Sequence, residues 1–171
     1  MEEKNTSVFK FALSYGLYTG IGLVILGLIF YVMDVELQSP VQYLSFIVYI
    51  AGMIYGANAY KKVIGNGFLS YGKAFSVSYV IAMIAAVIGV IYSLILTEVI
   101  DPSIMTRAME ASEQRLIDRG MTDAQIEQAM SFSERFSNPG ARAVMGLVFS
   151  AIVLAIIALI TSIFVKKEEE L

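Results

Sequence analysis

The chain has 171 residues, of which 57% are apolar and only 16% charged, with a formal net charge of −3 and a mean hydropathy of +0.71. A soluble domain carries about 45–50% apolar residues, so this is not an ordinary soluble domain. His and Cys are absent, which excludes disulfides, thiolate nucleophiles, His acid–base chemistry, Cys or His zinc sites and His- or Cys-ligated haem. A mildly acidic chain also lacks the clustered basic footprint of a nucleic-acid binder.

A helix rises about 1.5 Å per residue, so about 20 apolar residues cross roughly 30 Å of hydrocarbon. Residues 11–33, 41–60, 74–97 and 143–165 meet that requirement without a single Asp, Glu, Lys or Arg. A soluble helix must show one face to water and does not stay uncharged for so long. The first run is longer than the roughly 7–15 residues of a signal h-region, and Glu2 and Glu3 precede it, so it reads as a retained helix. Allowing for end residues, the spans are expected at about 8–33, 41–62, 73–97 and 140–165 within a single membrane domain covering 1–171.

Ser39-Pro40-Val41-Gln42 reads as a capping box with Pro at the first helical position, and Lys61 and Lys62 sit where the dipole of the second span favours cations. Gly65-Asn66-Gly67 breaks the chain before the third span. Each span has a seam of small residues for close backbone approach: Gly16 and Gly20, Gly52 and Gly56, Ser78 with Ala82 and Ala86, and Gly146 with Ser150, Ala151 and Ala155. These seams predict packing of one four-helix bundle; homodimerisation through one of them is the alternative.

Between the third and fourth spans, at about 98–139, lies an extracytoplasmic insert. Asp101-Pro102 marks a helix start, Gly120 its end, and Thr122 with Gln125 a second capping box. Ile126, Met130, Phe132 and Phe136 then share one arc opposite Asp123, Glu127 and Glu134. They are expected to fold back on the protein's own spans; the alternative is an interaction surface for a partner or a lipid layer. Asn138-Pro139 starts the fourth span. The fold expected is thus all-α: an integral membrane four-helix bundle with two short amphipathic helices before its last span.

All seven Lys (4, 10, 61, 62, 73, 166, 167) fall at one set of helix ends, and all five Arg (107, 115, 119, 135, 142) fall in the insert or at its end. The positive-inside tendency then places both termini in the cytoplasm. Asp34 and Glu36 read as charges at the opposite interface. Ser70-Tyr71-Gly72-Lys73 matches the Ser-x-x-Lys pattern of some hydroxyl nucleophiles, but the companion S-D-N and K-T-G elements are missing. Nine Met are scattered along the chain and read as packing. No catalytic, cofactor-binding or metal-ligating residue is assigned, no cofactor is expected, and the lack of charge inside the spans weighs against proton-coupled transport.

A Gly-rich turn running into Leu69-Ser70-Tyr71-Gly72-Lys73-Ala74-Phe75 at the head of the third span, with an acidic two-helix insert before the fourth, resembles the domain-of-unknown-function family four-one-nine-nine, small membrane proteins found mainly in Bacteroidota. The resemblance implies a multi-pass protein of the inner membrane and transfers no activity. The expected function is a non-enzymatic structural, assembly or interaction protein whose partners are the lipid bilayer and another membrane protein or a second copy; the alternative is a subunit of a small oligomeric channel or transporter.

Overall fold

The computed structural model describes residues 7–35, 39–135 and 137–168. Among them are six α-helices: α1 Val8–Val32, α2 Leu44–Val63, α3 Tyr71–Ile95, α4 Ser103–Asp118, α5 Asp123–Arg135 and α6 Pro139–Val165. A 3-10 turn, Pro40–Tyr43, leads into α2, and a π-helical turn, Leu96–Ile100, extends α3. The described residues contain no strand, only an isolated pairing of Leu69 with Lys167. Four helical stretches are long and apolar enough to cross a membrane: Val8–Val32, Pro40–Val63, Tyr71–Ile100 and Pro139–Val165.

Local chemistry sets the helix ends. At the end of α1, Asp34 takes a left-handed conformation, with φ 50°. Its N–H donates to the carbonyl of Tyr31 and that of Val35 to Phe30, so carbonyls that the helix leaves unpaired are satisfied. Asp tolerates this conformation better than most side chains, which gives Asp34 a structural role at the span end. The same device ends α4: Gly120 has φ +74°, and the N–H groups of Gly120 and Met121 reach back to Ile117 and Leu116. The Ser39 hydroxyl accepts from the Val41 N–H at 3.4 Å, although the turn that it opens is 3-10 and not α-helical.

The chain forms two compact units, Met1–Gly89 with Val148–Leu171, and Val90–Leu147. In the first, a buried cluster joins Ala12 of α1, Ala57 and Tyr60 of α2, Ala74, Val77 and Ile81 of α3 and Val165 of α6. The start of α1, the end of α2, the start of α3 and the end of α6 therefore lie together. A second cluster joins Met53, Ala82, Ala86, Leu154 and Ala158. These interiors are rich in Ala, whereas large side chains such as Ile25, Tyr55, Ile91, Ile156 and Phe164 are exposed. An Ala-rich interior with many bulky apolar side chains exposed suits a protein whose surroundings are acyl chains, because packing and not apolar burial must then hold the helices together.

The glycine seams lie within this packing. A β-carbon on Gly16 would fall 2.6 Å from Cβ of Ile84, and one on Gly20 would strike the Ile88 side chain. On α2, a β-carbon on Gly52 would overlap Thr19, and one on Gly56 would overlap Ile81. In α6 the buried line is different from the expected one: Leu154, Ala158, Thr161, Ser162 and Val165 face inward, while Ser150, Ala151 and Ala155 are half-buried. The Thr161 and Ser162 hydroxyls donate to carbonyls one turn back, at Ile157 and Ala158, so their burial leaves no donor unpaired.

Candidate functional site

The second unit contains the insert, and its helices are capped as their sequences dictate. The Asp101 carboxylate accepts the N–H of Ser103 at 3.1 Å and is paired with Arg107 at 2.9 Å, which opens α4. The Gln125 side-chain carbonyl accepts the N–H of Thr122 at 3.0 Å before α5, and the Asn138 side chain accepts that of Ala141 at 3.1 Å at the start of α6. Each cap removes an unpaired donor at a helix start and fixes where the following face points.

These helices enclose a cavity of about 430 Å³, lined by Met105 and Met109 of α4, Phe132 and Ser133 of α5, and Arg142 and Met145 of α6. Met105 and Met109 are one helical turn apart and so share a face. Met145, which belongs to the fourth apolar stretch, is brought beside them. The thioethers read in sequence as dispersed packing residues are thus partly gathered, and the i, i+4 spacing of 105 and 109 was the only local sign of it. Flexible, polarisable Met side chains make a wall that can re-form around differently shaped apolar groups.

Arg142 anchors the cavity's edge. Its guanidinium is paired with the Glu98 carboxylate and donates to the Thr97 hydroxyl at 3.4 Å, while the Thr97 hydroxyl in turn donates to the Ser93 carbonyl at 2.9 Å. The Arg142 Nε is buried and has no partner among the described residues. The Glu98–Arg142 pair joins the end of the third apolar stretch to the start of the fourth. Sequence reasoning missed it because 44 positions separate the two residues.

Of the residues on that arc of the insert, Ile126 is buried, Met130 half-buried and Phe132 63% exposed. Phe136 lies outside the described residues, as does Glu36. Ile126 is thus not available as a surface residue, and among the described residues of this set Phe132 is the one that is both exposed and on the cavity wall. The small residues Gly16, Gly20, Gly52 and Gly56 are at the interhelical contacts already given. Ser70 and Lys73 line a separate recess with Lys167 in the first unit. Among the described residues no group of three or more Asp, Glu, His or Cys is placed to hold a metal ion.

No curated protein and no solved structure matches this chain. A family model described as a protein of unknown function, DUF4199, matches residues 14–167. That match takes in the first apolar stretch from residue 14 onward, the other three whole and the insert, and the chain belongs to the DUF4199 family.

Proposed function

We propose that this chain is a non-enzymatic, multi-pass protein of the inner membrane: a four-helix bundle with both termini in the cytoplasm, whose two amphipathic helices between spans three and four receive an apolar segment of another membrane protein. The observation that carries the reading is the Met-lined cavity in the insert, open beside the exposed Phe132 ring. Exposed aromatic and Met side chains around a cavity are a common composition for an apolar docking surface. The uncharged spans support this over proton-coupled transport, since coupling ordinarily requires an ionisable group within the membrane.

The test is extraction in native-lipid particles followed by mass measurement of the intact assembly. A partner protein should accompany the wild type. Phe132→Ala should reduce its recovery several-fold without lowering the thermal midpoint of the purified chain, because an exposed side chain contributes little to folding. A wild type that runs as a lone chain with lipid only would sink the reading, and a homodimer lost on Phe132→Ala would replace the partner by a second copy.

Orientation is checked separately. With a membrane-impermeant thiol reagent on intact cells, Glu113→Cys should label and Glu168→Cys should not; both side chains are exposed. The motive is the segregation of Lys from Arg along the chain. The opposite labelling pattern would invert the topology.

A further inference from the structure

We propose that the Lys-rich end of the first unit is a binding site for a phosphate-bearing anion, held between the start of α3 and the segment that follows α6. A recess of about 540 Å³ lies there, lined by Tyr60, Phe68, Ser70, Lys73, Lys167 and Glu168 among others. It is built by tertiary pairing. The N–H of Leu69 donates to the carbonyl of Lys167 at 2.7 Å and the N–H of Lys167 donates back at 2.9 Å, which fastens the turn before α3 to the chain beyond α6. Lys61 closes the same end from α2 by donating to the Val165 carbonyl at 2.9 Å.

Three features favour an anion. Lys73 and Lys167 line one recess from positions 94 residues apart in sequence, and the Lys167 ammonium lies 5.6 Å from the Phe68 ring centre, which keeps it over the wall. The acid on the wall, Glu168, is shared with Lys166 at 3.5 Å, which offsets its charge. The first helical N–H with a carbonyl one turn back is that of Ala74, which donates to Ser70. The N–H groups of Tyr71, Gly72 and Lys73 precede it and belong to the positive end of a 25-residue helix.

The apolar part of the wall, with Tyr60, Phe68 and Leu69, suits a ligand whose phosphate is joined to an apolar body, and basic recesses between spans at a headgroup layer are where anionic lipids are held. A free phosphate has the same recognition chemistry, so the two sources are separated by experiment. The inference does not depend on the partner assigned to the insert or on which side of the membrane the Lys-rich end occupies.

The wild type is placed in nanodiscs of phosphatidylcholine and titrated in one arm with phosphatidylglycerol, exchanged from vesicles, and in the other with inorganic phosphate. Bound lipid is counted by native mass spectrometry, phosphate is followed by calorimetry, and the thermal midpoint is read in both. Lys73→Gln and Lys167→Gln should each weaken binding about fivefold, with Lys73→Arg retaining most of it. Lys62→Gln, an exposed lysine at the same end that does not line the recess, should leave binding within about twofold. A response to phosphatidylglycerol alone assigns a lipid headgroup, and one to inorganic phosphate assigns a soluble anion. No saturable response in either arm, or an equal loss in Lys62→Gln and Lys73→Gln, would overturn the proposal. All of these variants should still partition as integral membrane proteins, so failure of the site leaves the membrane reading intact.

Discussion

Gly16→Ala should lower the unfolding free energy by about 1–3 kcal/mol, while Gly89→Ala should leave it unchanged or raise it by up to about 1 kcal/mol. Both glycines lie within long apolar helices, and the chemical change is the same single methyl group. The surroundings differ. At Gly16 the added carbon would fall 2.6 Å from Cβ of Ile84, 2.7 Å from its Cγ2 and 3.1 Å from the Ile81 carbonyl oxygen. Cβ and Cγ2 of a β-branched residue cannot swing aside as a chain end can, so relief requires α1 and α3 to separate. In an acyl environment that separation is costly, because van der Waals contact is most of what joins the helices. At Gly89 the nearest atom is the Tyr49 hydroxyl at 3.9 Å, an ordinary contact. There the alanine gains helix propensity without displacing anything. Steric trapping of unfolding in lipid or mixed micelles measures both variants, and equal stabilities would show that α1 does not seat its glycines on α3.

The four long apolar helices were legible because length and absence of charge are properties of a segment by itself. Caps were legible for the same reason: Asp101, Asn138 and Gly120 act on atoms within a few residues of themselves, and each does what its local sequence implies. Which face of a span turns inward is a different kind of question. On a helix that is apolar all round, small residues are the remaining clue, and on α1 and α2 the glycines meet Ile84, Ile88, Thr19 and Ile81. On α6 small residues mislead, since Leu154 and Val165 are among the residues buried there and neither is small. The contact is made by shape matching with α2 and α3, which no single segment encodes.

The same limit governs the sites. Each lysine of the 540 Å³ recess was visible as a charge near a helix end, which is where a topology rule alone would put it. That Lys73 and Lys167 converge follows from the pairing of Leu69 with Lys167, a contact between residues 98 positions apart. Met145 joins Met105 and Met109 by an equally non-local route. Chemistry made from ordinary residues is invisible until the chain brings them together; a His or Cys cluster would have announced itself, and this sequence has neither.

The contact between Gly56 and Ile81 should show strong coupling in a double-mutant cycle. A β-carbon on Gly56 would overlap Cδ1 of Ile81 and lie 3.2 and 3.3 Å from Cβ and Cγ of Tyr15. Gly56→Ala should therefore cost about 1–3 kcal/mol by overpacking. Ile81 is fully buried, and Ile81→Val, which deletes the offending Cδ1, should cost about 0.5–1.5 kcal/mol for the cavity it leaves. The lower part of that range is expected, because the freed surface in the unfolded chain meets acyl chains and not water, so little transfer energy is lost. Combined, the new methyl group occupies part of the space that the deleted one vacates. The pair should then be more stable than the sum of the two costs by about 0.5 kcal/mol or more. Full recovery is not expected, since the Tyr15 contacts remain tight and its ring is also packed against those of Phe11 and Tyr18. Strict additivity, measured by the same trapping experiment, would mean that Gly56 and Ile81 do not touch in the folded protein and that α2 meets α3 along a different line.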